Sequence, residues 1–277
     1  MRREEIRIRD PFIYTDKENG CYYMYGTTAL YWNNLKAGGS FCCYKSYDLE
    51  EFEGPYEIFN AEWGDFWADR DFWAAEMHVY KGKYYLFGSC KAEGHRRATH
   101  ILVCDTPTGK FKPVSDKPAT PEDWEALDGT FFVEDGKPYM VFCHEWKQVK
   151  NGEMCVVELS DDLSLPVGEP KLMFRALDNP IMTAHKPGDE GGYVTDGPFL
   201  WREDGKIKMI WSSCCNDRYM VLPAESDTLH GEWTHGEPLF DFSGGHAMVF
   251  YNLDGERMIS LHRPNIPLEE RAFFCKF

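Results

Sequence analysis

Polar and apolar positions follow one pattern five times along this chain: a polar residue, an apolar run, a glycine turn, then a second apolar run. The first copy is Asp10-Pro11-Phe12-Ile13-Tyr14, Gly20, then Cys21-Tyr22-Tyr23-Met24-Tyr25. The second is Glu76-Met77-His78-Val79-Tyr80, Gly82, Lys83-Tyr84-Tyr85-Leu86-Phe87, and the third opens on Asp128-Gly129-Thr130-Phe131-Phe132 before Gly136. Asp196-Gly197-Pro198-Phe199-Leu200 with Gly205, and His246-Ala247-Met248-Val249-Phe250 with Gly255, complete the set. Aromatic and branched runs flanking a turn whose glycine tolerates positive φ predict a β-hairpin in each copy.

The leading polar residues are 66, 52, 68 and 50 positions apart, room for four strands and their loops per unit. Four copies are followed by a further turn marker: Asp48-Leu49, Asp105-Thr106, Asp161-Asp162-Leu163 and Ser226-Asp227, which predict an outer strand pair. No stretch sustains a helical period. A lone hairpin cannot bury both of its faces, so five units must stack about a common axis. The expectation is an all-β five-bladed β-propeller formed as one domain by residues 1–277.

Composition narrows the partners. A formal charge of −16 without a local basic cluster argues against nucleic acid. No run approaches the roughly 18 apolar residues of a spanning helix, so no membrane partner is expected. The start, Met1-Arg2-Arg3-Glu4-Glu5, carries no apolar signal segment, which places the chain in the cytoplasm on this reading. The ten cysteines show no zinc or redox spacing and read as buried thiols.

In a propeller the innermost strand of each blade lines the channel, so the polar residues that open these strands meet at one rim. Asp10, Glu76, Asp128, Asp196 and His246 are thereby expected as five equivalent neighbours. Strand-initial Asp caps turns in many folds, and any one of these could be that. Together, they suit cleavage of a glycosidic bond, which needs one protonated and one ionised carboxyl. Like charges at close range separate the two states.

These residues resemble glycoside hydrolase family 43. Arg9-Asp10-Pro11-Phe12 is similar to the family's base motif, Leu127-Asp128-Gly129-Thr130 to its modulator motif, and Thr195-Asp196-Gly197-Pro198 to its acid motif. Trp73-Ala74-Ala75-Glu76-Met77-His78 resembles its Trp-Ala-Pro-Glu-x-His segment, whose glutamate faces the sugar. The resemblance implies Asp10 as general base, Asp128 as the residue tuning the acid, and Asp196 as general acid in an inverting reaction that requires no cofactor. The family's acid is normally Glu, one methylene longer than Asp196. Glu190 and Glu145 therefore stand as substitute acids, and a propeller that binds glycan without cleaving it stays open. His246 resembles the family's axial histidine, which in some members helps hold calcium or another structural cation in the channel. A hydrogen-bonded channel histidine is the alternative.

Trp73, Phe72, Trp146 and Trp32 are candidate sugar platforms, although a single aromatic of this kind is more often blade core. Arg263 and Arg271 could contact sugar hydroxyls. Gln148 stands where a zinc helix beginning at His144 would need its second histidine, which removes that reading. Three segments, Gly26 to Cys42, Glu57 to Phe72 and Leu177 to Tyr193, are expected to wall the site, with Asp10 and Asp128 both partly exposed in it. The expected substrate is an oligosaccharide or small glycoside ending in a furanose or pentose, of α-L-arabinofuranoside or β-xyloside type. A galactofuranoside, phosphorolysis and sucrose cleavage are the alternatives.

Overall fold

The computed structural model describes residues 1–28, 39–185 and 191–277. Strands β1 (Ile8–Asp16), β2 (Cys21–Thr28), β3 (Ser40–Ser46) and β4 (Phe52–Asn60) form the first sheet. The second comprises β5 (Arg70–Tyr80), β6 (Lys83–Lys91), β7 (Ala98–Cys104) and β8 (Lys112–Pro113), and the third β9 (Ala126–Glu134), β10 (Lys137–His144), β11 (Glu153–Leu159) and β12 (Pro166–Arg175). The fourth holds β13 (Asp196–Glu203), β14 (Lys206–Cys215), β15 (Arg218–Ser226) and β16 (Thr234–His235). The fifth has three strands, β17 (Gly245–Tyr251), β18 (Arg257–Arg263) and β19 (Arg271–Lys276). Every sheet is an antiparallel meander, and the first strands touch in a closed cycle, β1 to β5, β9, β13, β17 and back to β1. This is a five-bladed propeller. The ten cysteines are all free thiols. Among the described residues no helix is long and apolar enough to cross a membrane.

Apolarity on both faces of each hairpin is what drives the stacking. Successive residues of a strand point to opposite faces. Leu86 of β6 enters the core shared with the first blade, while Phe87 enters the core shared with the third. Val141 and Met140 of β10 divide likewise between the fourth and second blades, and Met209 and Ile210 of β14 between the third and fifth. No blade could leave either face in water.

One irregularity repeats in every blade and builds the rim. Arg9 pairs with Thr27 and Phe12 with Tyr25, so two residues intervene on β1 against one on β2. The same bulge lies between Trp73 and Glu76, Leu127 and Thr130, Asp196 and Phe199, and Gly245 and Met248. The residue entering each bulge is left-handed: Asp10 (φ 56), Ala74 (φ 47), Asp128 (φ 57), Gly197 (φ 48) and His246 (φ 51). These five, rather than Asp10, Glu76, Asp128, Asp196 and His246, are the equivalent positions. Glu76 lies two residues deeper, level with Phe12 and Thr130, and Asp196 one residue earlier, level with Arg9 and Trp73. Aligning the copies by their first polar residue overlooked the extra residue that each bulge inserts.

Candidate active site

The bulges turn Asp10, Asp128 and His246 toward one pocket on the face where the inner strands begin, and Asp196 reaches it from the adjoining position of β13. Asp10 is buried at 7% exposure and Asp128 at 3%, against the expectation that both would be partly exposed. The left-handed turn draws their carboxyls below the rim, and Asp196 keeps the partial opening instead.

Asp10 has polar partners on every side. The Thr27 hydroxyl donates to Oδ2 at 2.7 Å, Nδ1 of His246 lies 3.2 Å from Oδ1, and Nδ1 of His262, which accepts the Asp10 N–H, lies 3.3 Å from it. The Arg9 guanidinium stands 3.9 Å away. Burial works to raise this carboxyl, but His246, His262 and Arg9 outweigh it and hold Asp10 far below the ordinary carboxylate range, hence ionised.

Asp128 and Asp196 behave in the opposite way. Their carboxyl oxygens lie within 4.8 Å of each other, close enough for the two groups to act on each other as like charges. Burial, with the charges of Asp10 and Glu76, pushes Asp128 up to about 6, against the lowering bonds from Asp196 and the Gly197 N–H. Burial and then the Asp128 charge push Asp196 well above its usual range, although the Tyr219 hydroxyl donates to its Oδ2 at 2.6 Å. Asp196 is therefore the member that holds the proton, in the same pocket as an ionised Asp10.

The other expected residues divide. Trp73, Glu145, Trp146 and His246 line the pocket. The Arg97 guanidinium lies 3.6 Å over the Trp73 ring, fixed by an Arg97 to Asp71 bond of 2.8 Å. Trp146 begins the short helix α1 (Trp146–Val149) that follows β10, and Glu145 is buried beside it, paired with Lys147 at 3.0 Å. Glu76 and His78 are absent from the pocket lining: they pair at 3.0 Å, with the His78 ring between Phe12 and Phe87 in the channel below. Arg263 lies over the Phe242 and Phe273 rings, away from the pocket, and Arg271 binds the Glu4 carbonyl. Phe72 is core, packed on Phe41 and Phe59. Trp32 and Glu190 lie outside the described residues.

Of the three expected wall segments, Gly26 to Cys42 supplies Thr27 to the lining, and the described residues of Glu57 to Phe72 and Leu177 to Tyr193 supply nothing to it; residues 29–38 and 186–190 lie outside the described residues. Two lining residues, Glu145 and Trp146, come instead from a connection too short to stand out. Arg9 and Tyr219 are the functional residues that the sequence reading passed over. Adjacency to Asp10 could have flagged Arg9, whereas Tyr219, on a third strand, carries no local signal.

A calcium ion takes about six to eight oxygen ligands. Ligand atoms of Asp128, Asp196 and His246 lie within 4.8 Å of one another, and Nε2 of His246 is buried without a hydrogen-bond partner. These are the residues that would hold a channel cation, with water completing its shell.

Comparison with known proteins bears on the family and the fold. The model of Glycosyl hydrolases family 43 matches residues 5–273. The crystal structure of an endo-arabinase from Bacteroides thetaiotaomicron VPI-5482 superposes with a TM-score of 0.90 at 37% identity, covering 100% of this chain and 96% of that one. An endo-1,4-beta-xylanase structure from the same organism gives a TM-score of 0.75 at 25% identity over 98% and 91% of the two chains. A "Xylosidase/arabinosidase" of Bacteroides ovatus is 20% identical over 230 residues, 75% of this chain and 68% of that protein.

Proposed function

Because this chain belongs to glycoside hydrolase family 43, we propose that it hydrolyses arabinose- or xylose-containing oligosaccharides with inversion, Asp10 acting as general base and Asp196 as general acid. One observation carries the reading: a single pocket holds a carboxyl kept ionised, Asp10, and a carboxyl kept protonated, Asp196. Asp10 would take the proton of the attacking water, Asp196 would deliver its proton to the departing oxygen, and Asp128 would keep that proton on Asp196 until it is needed. The two carboxyls supply both proton transfers, so the reaction runs without an added cofactor. Trp73 and Trp146 line the pocket and would supply apolar surface to the sugar, and Arg9 would offer donors to its hydroxyls.

The substrate's length is a separate matter. Cleavage of a terminal sugar is one form of the reading, and cleavage inside a chain is the other. The second is favoured by a groove of about 700 Å³ on the same face, lined by Trp67, His95 and Glu125. It adjoins the pocket, since the Glu145 N–H donates to the Glu125 carbonyl and Arg97, stacked on Trp73, donates its own N–H to the Glu125 carboxylate. The endo-arabinase that this chain resembles over its whole length points the same way.

The test is a screen of aryl α-L-arabinofuranosides and β-xylosides together with linear arabino- and xylo-oligosaccharides. Wild type should cleave one series, and Asp10→Asn should lose at least about a hundredfold on every substrate, good leaving groups included. Asp196→Ala should slow the oligosaccharides by a similar factor and spare aryl glycosides whose leaving group is already acidic. Absence of turnover on every substrate would leave a glycan-binding propeller as the surviving reading.

A further inference from the structure

At four of the five junctions between blades, a side chain of the second strand accepts the backbone N–H of the next blade's bulge residue. Thr27 accepts from Ala74 at 2.8 Å, Ser89 from Asp128 at 2.9 Å, and Ser212 from His246 at 2.8 Å. His262 accepts from Asp10 at 3.2 Å, across the closure of the ring. The acceptors are equivalent by register: each sits opposite the residue that precedes its own blade's bulge residue, as Thr27 sits opposite Arg9 and Ser212 opposite Asp196.

The remaining position, opposite Leu127, is Cys143. Its thiol is fully buried, with the Met154 sulfur 4.0 Å away, and a thiol is a weak acceptor. A buried N–H must still be satisfied. The Gly197 N–H turns to the Asp128 carboxylate, at 3.1 Å from Oδ2.

We infer that Cys143 is a positioning residue: by withholding the acceptor that the other junctions supply, it commits the Gly197 N–H to Asp128 and so fixes that carboxylate against Asp196. The inference rests on the reading of Asp196 as the acid. Gly197 directly follows Asp196, so the donor that anchors Asp128 travels with the acid's own backbone. A donor on Asp128 also favours its ionised form, which leaves Asp196 as the protonated member of the pair. An oxygen at position 143 would compete for that N–H and free Asp128 to take the proton.

Crystal structures of Cys143→Ser and Cys143→Ala, with turnover on glycosides of graded leaving group, decide the matter. In the serine variant the Gly197 N–H is expected to bond the new hydroxyl, and turnover of the poorest leaving group should fall at least about tenfold relative to the best one. The alanine variant offers no acceptor. Whatever its overall rate, it should keep the wild-type ratio between poor and good leaving groups and the Gly197 to Asp128 bond. Cys143→Thr replaces the serine variant if thermal melting shows that the latter does not fold. The inference is overturned if the hydroxyl variant keeps the Gly197 to Asp128 bond, or if both variants change the ratio alike, which would mark Cys143 as packing alone. If wild type cleaves no glycoside, the functional reading fails on its own, and the crystal structures still decide where the Gly197 N–H goes.

Discussion

Three aspartates of one chemical type are shifted to different extents here because their neighbours differ. Asp10 faces two imidazoles and a guanidinium, whereas Asp128 and Asp196 are buried beside each other, with the Gly197 N–H and the Tyr219 hydroxyl as their donors. For Asp128 this has a consequence for stability. Its folded-state pKa, about 6, lies above the ordinary carboxylate value, so the stability it contributes is present below that ordinary value and lost as pH rises through 6. Asp128→Asn removes the penalty while keeping an oxygen for the Gly197 N–H. That variant should be more stable than wild type at pH 8 by on the order of 2 kcal/mol, with the difference gone at pH 4, in urea unfolding at both values. A difference of the same size at pH 4 would place its origin outside this titration. At this scale the sequence was legible where a motif named the residue, as for Asp10, Asp128 and Asp196. It was silent where the partner arrives from a distant strand, as Tyr219 does for Asp196 and His262 for Asp10.

Within each blade, the hairpins were legible because apolar runs around Asp-Gly or Asn-Gly turns have one local solution. The bulges were not. A bulge is a mismatch in counting between two strands, and nothing in β13 alone says that Asp196 and Phe199 will face Ser212 and Ile210. Yet the bulge decides which side chain reaches the pocket, and so the ring of equivalent positions had to be redrawn. Gly197 shows how tightly that element is built. Its φ is +48, and a Cβ there would lie 2.6 Å from Cγ of the His246 ring. Gly205, in the turn between β13 and β14, shares a positive φ of +78, but a Cβ there meets nothing within 4 Å. Gly205→Ala should therefore cost only the left-handed conformation, about 1 kcal/mol, with activity retained. Gly197→Ala should cost upwards of about 2 kcal/mol and suppress turnover, because His246 must move away from Asp10 to make room. Equal losses in thermal melting for the two variants would mean that the His246 ring yields without resistance.

The number of blades was legible from repetition, while the way the ring shuts was not, because its contacts join residues some 250 positions apart. The fifth blade has three strands, and no outer turn marker follows His246 in the sequence. The edge between the first and last blades is joined by side-chain bonds to backbone. The Ser260 hydroxyl donates to the Pro11 carbonyl at 2.7 Å, Thr15 to Tyr251 at 2.7 Å, and the Tyr22 hydroxyl accepts the Leu253 N–H at 2.8 Å. An ion pair of 3.1 Å between Arg9 and the buried Glu270 lies at the same seam. Of these, the Ser260 bond is the most enclosed, since Ser260 is fully buried and its acceptor directly follows Asp10. Ser260→Ala leaves the Pro11 carbonyl buried without that donor, a cost of about 1 to 3 kcal/mol. The same bond holds the bulge that aims Asp10, so the loss should register twice, as a lower urea midpoint at an unchanged slope and as reduced turnover in the folded protein. A midpoint within about 0.5 kcal/mol of wild type would show that the seam is carried by the apolar packing of Phe12 and Met248 and not by its hydrogen bonds.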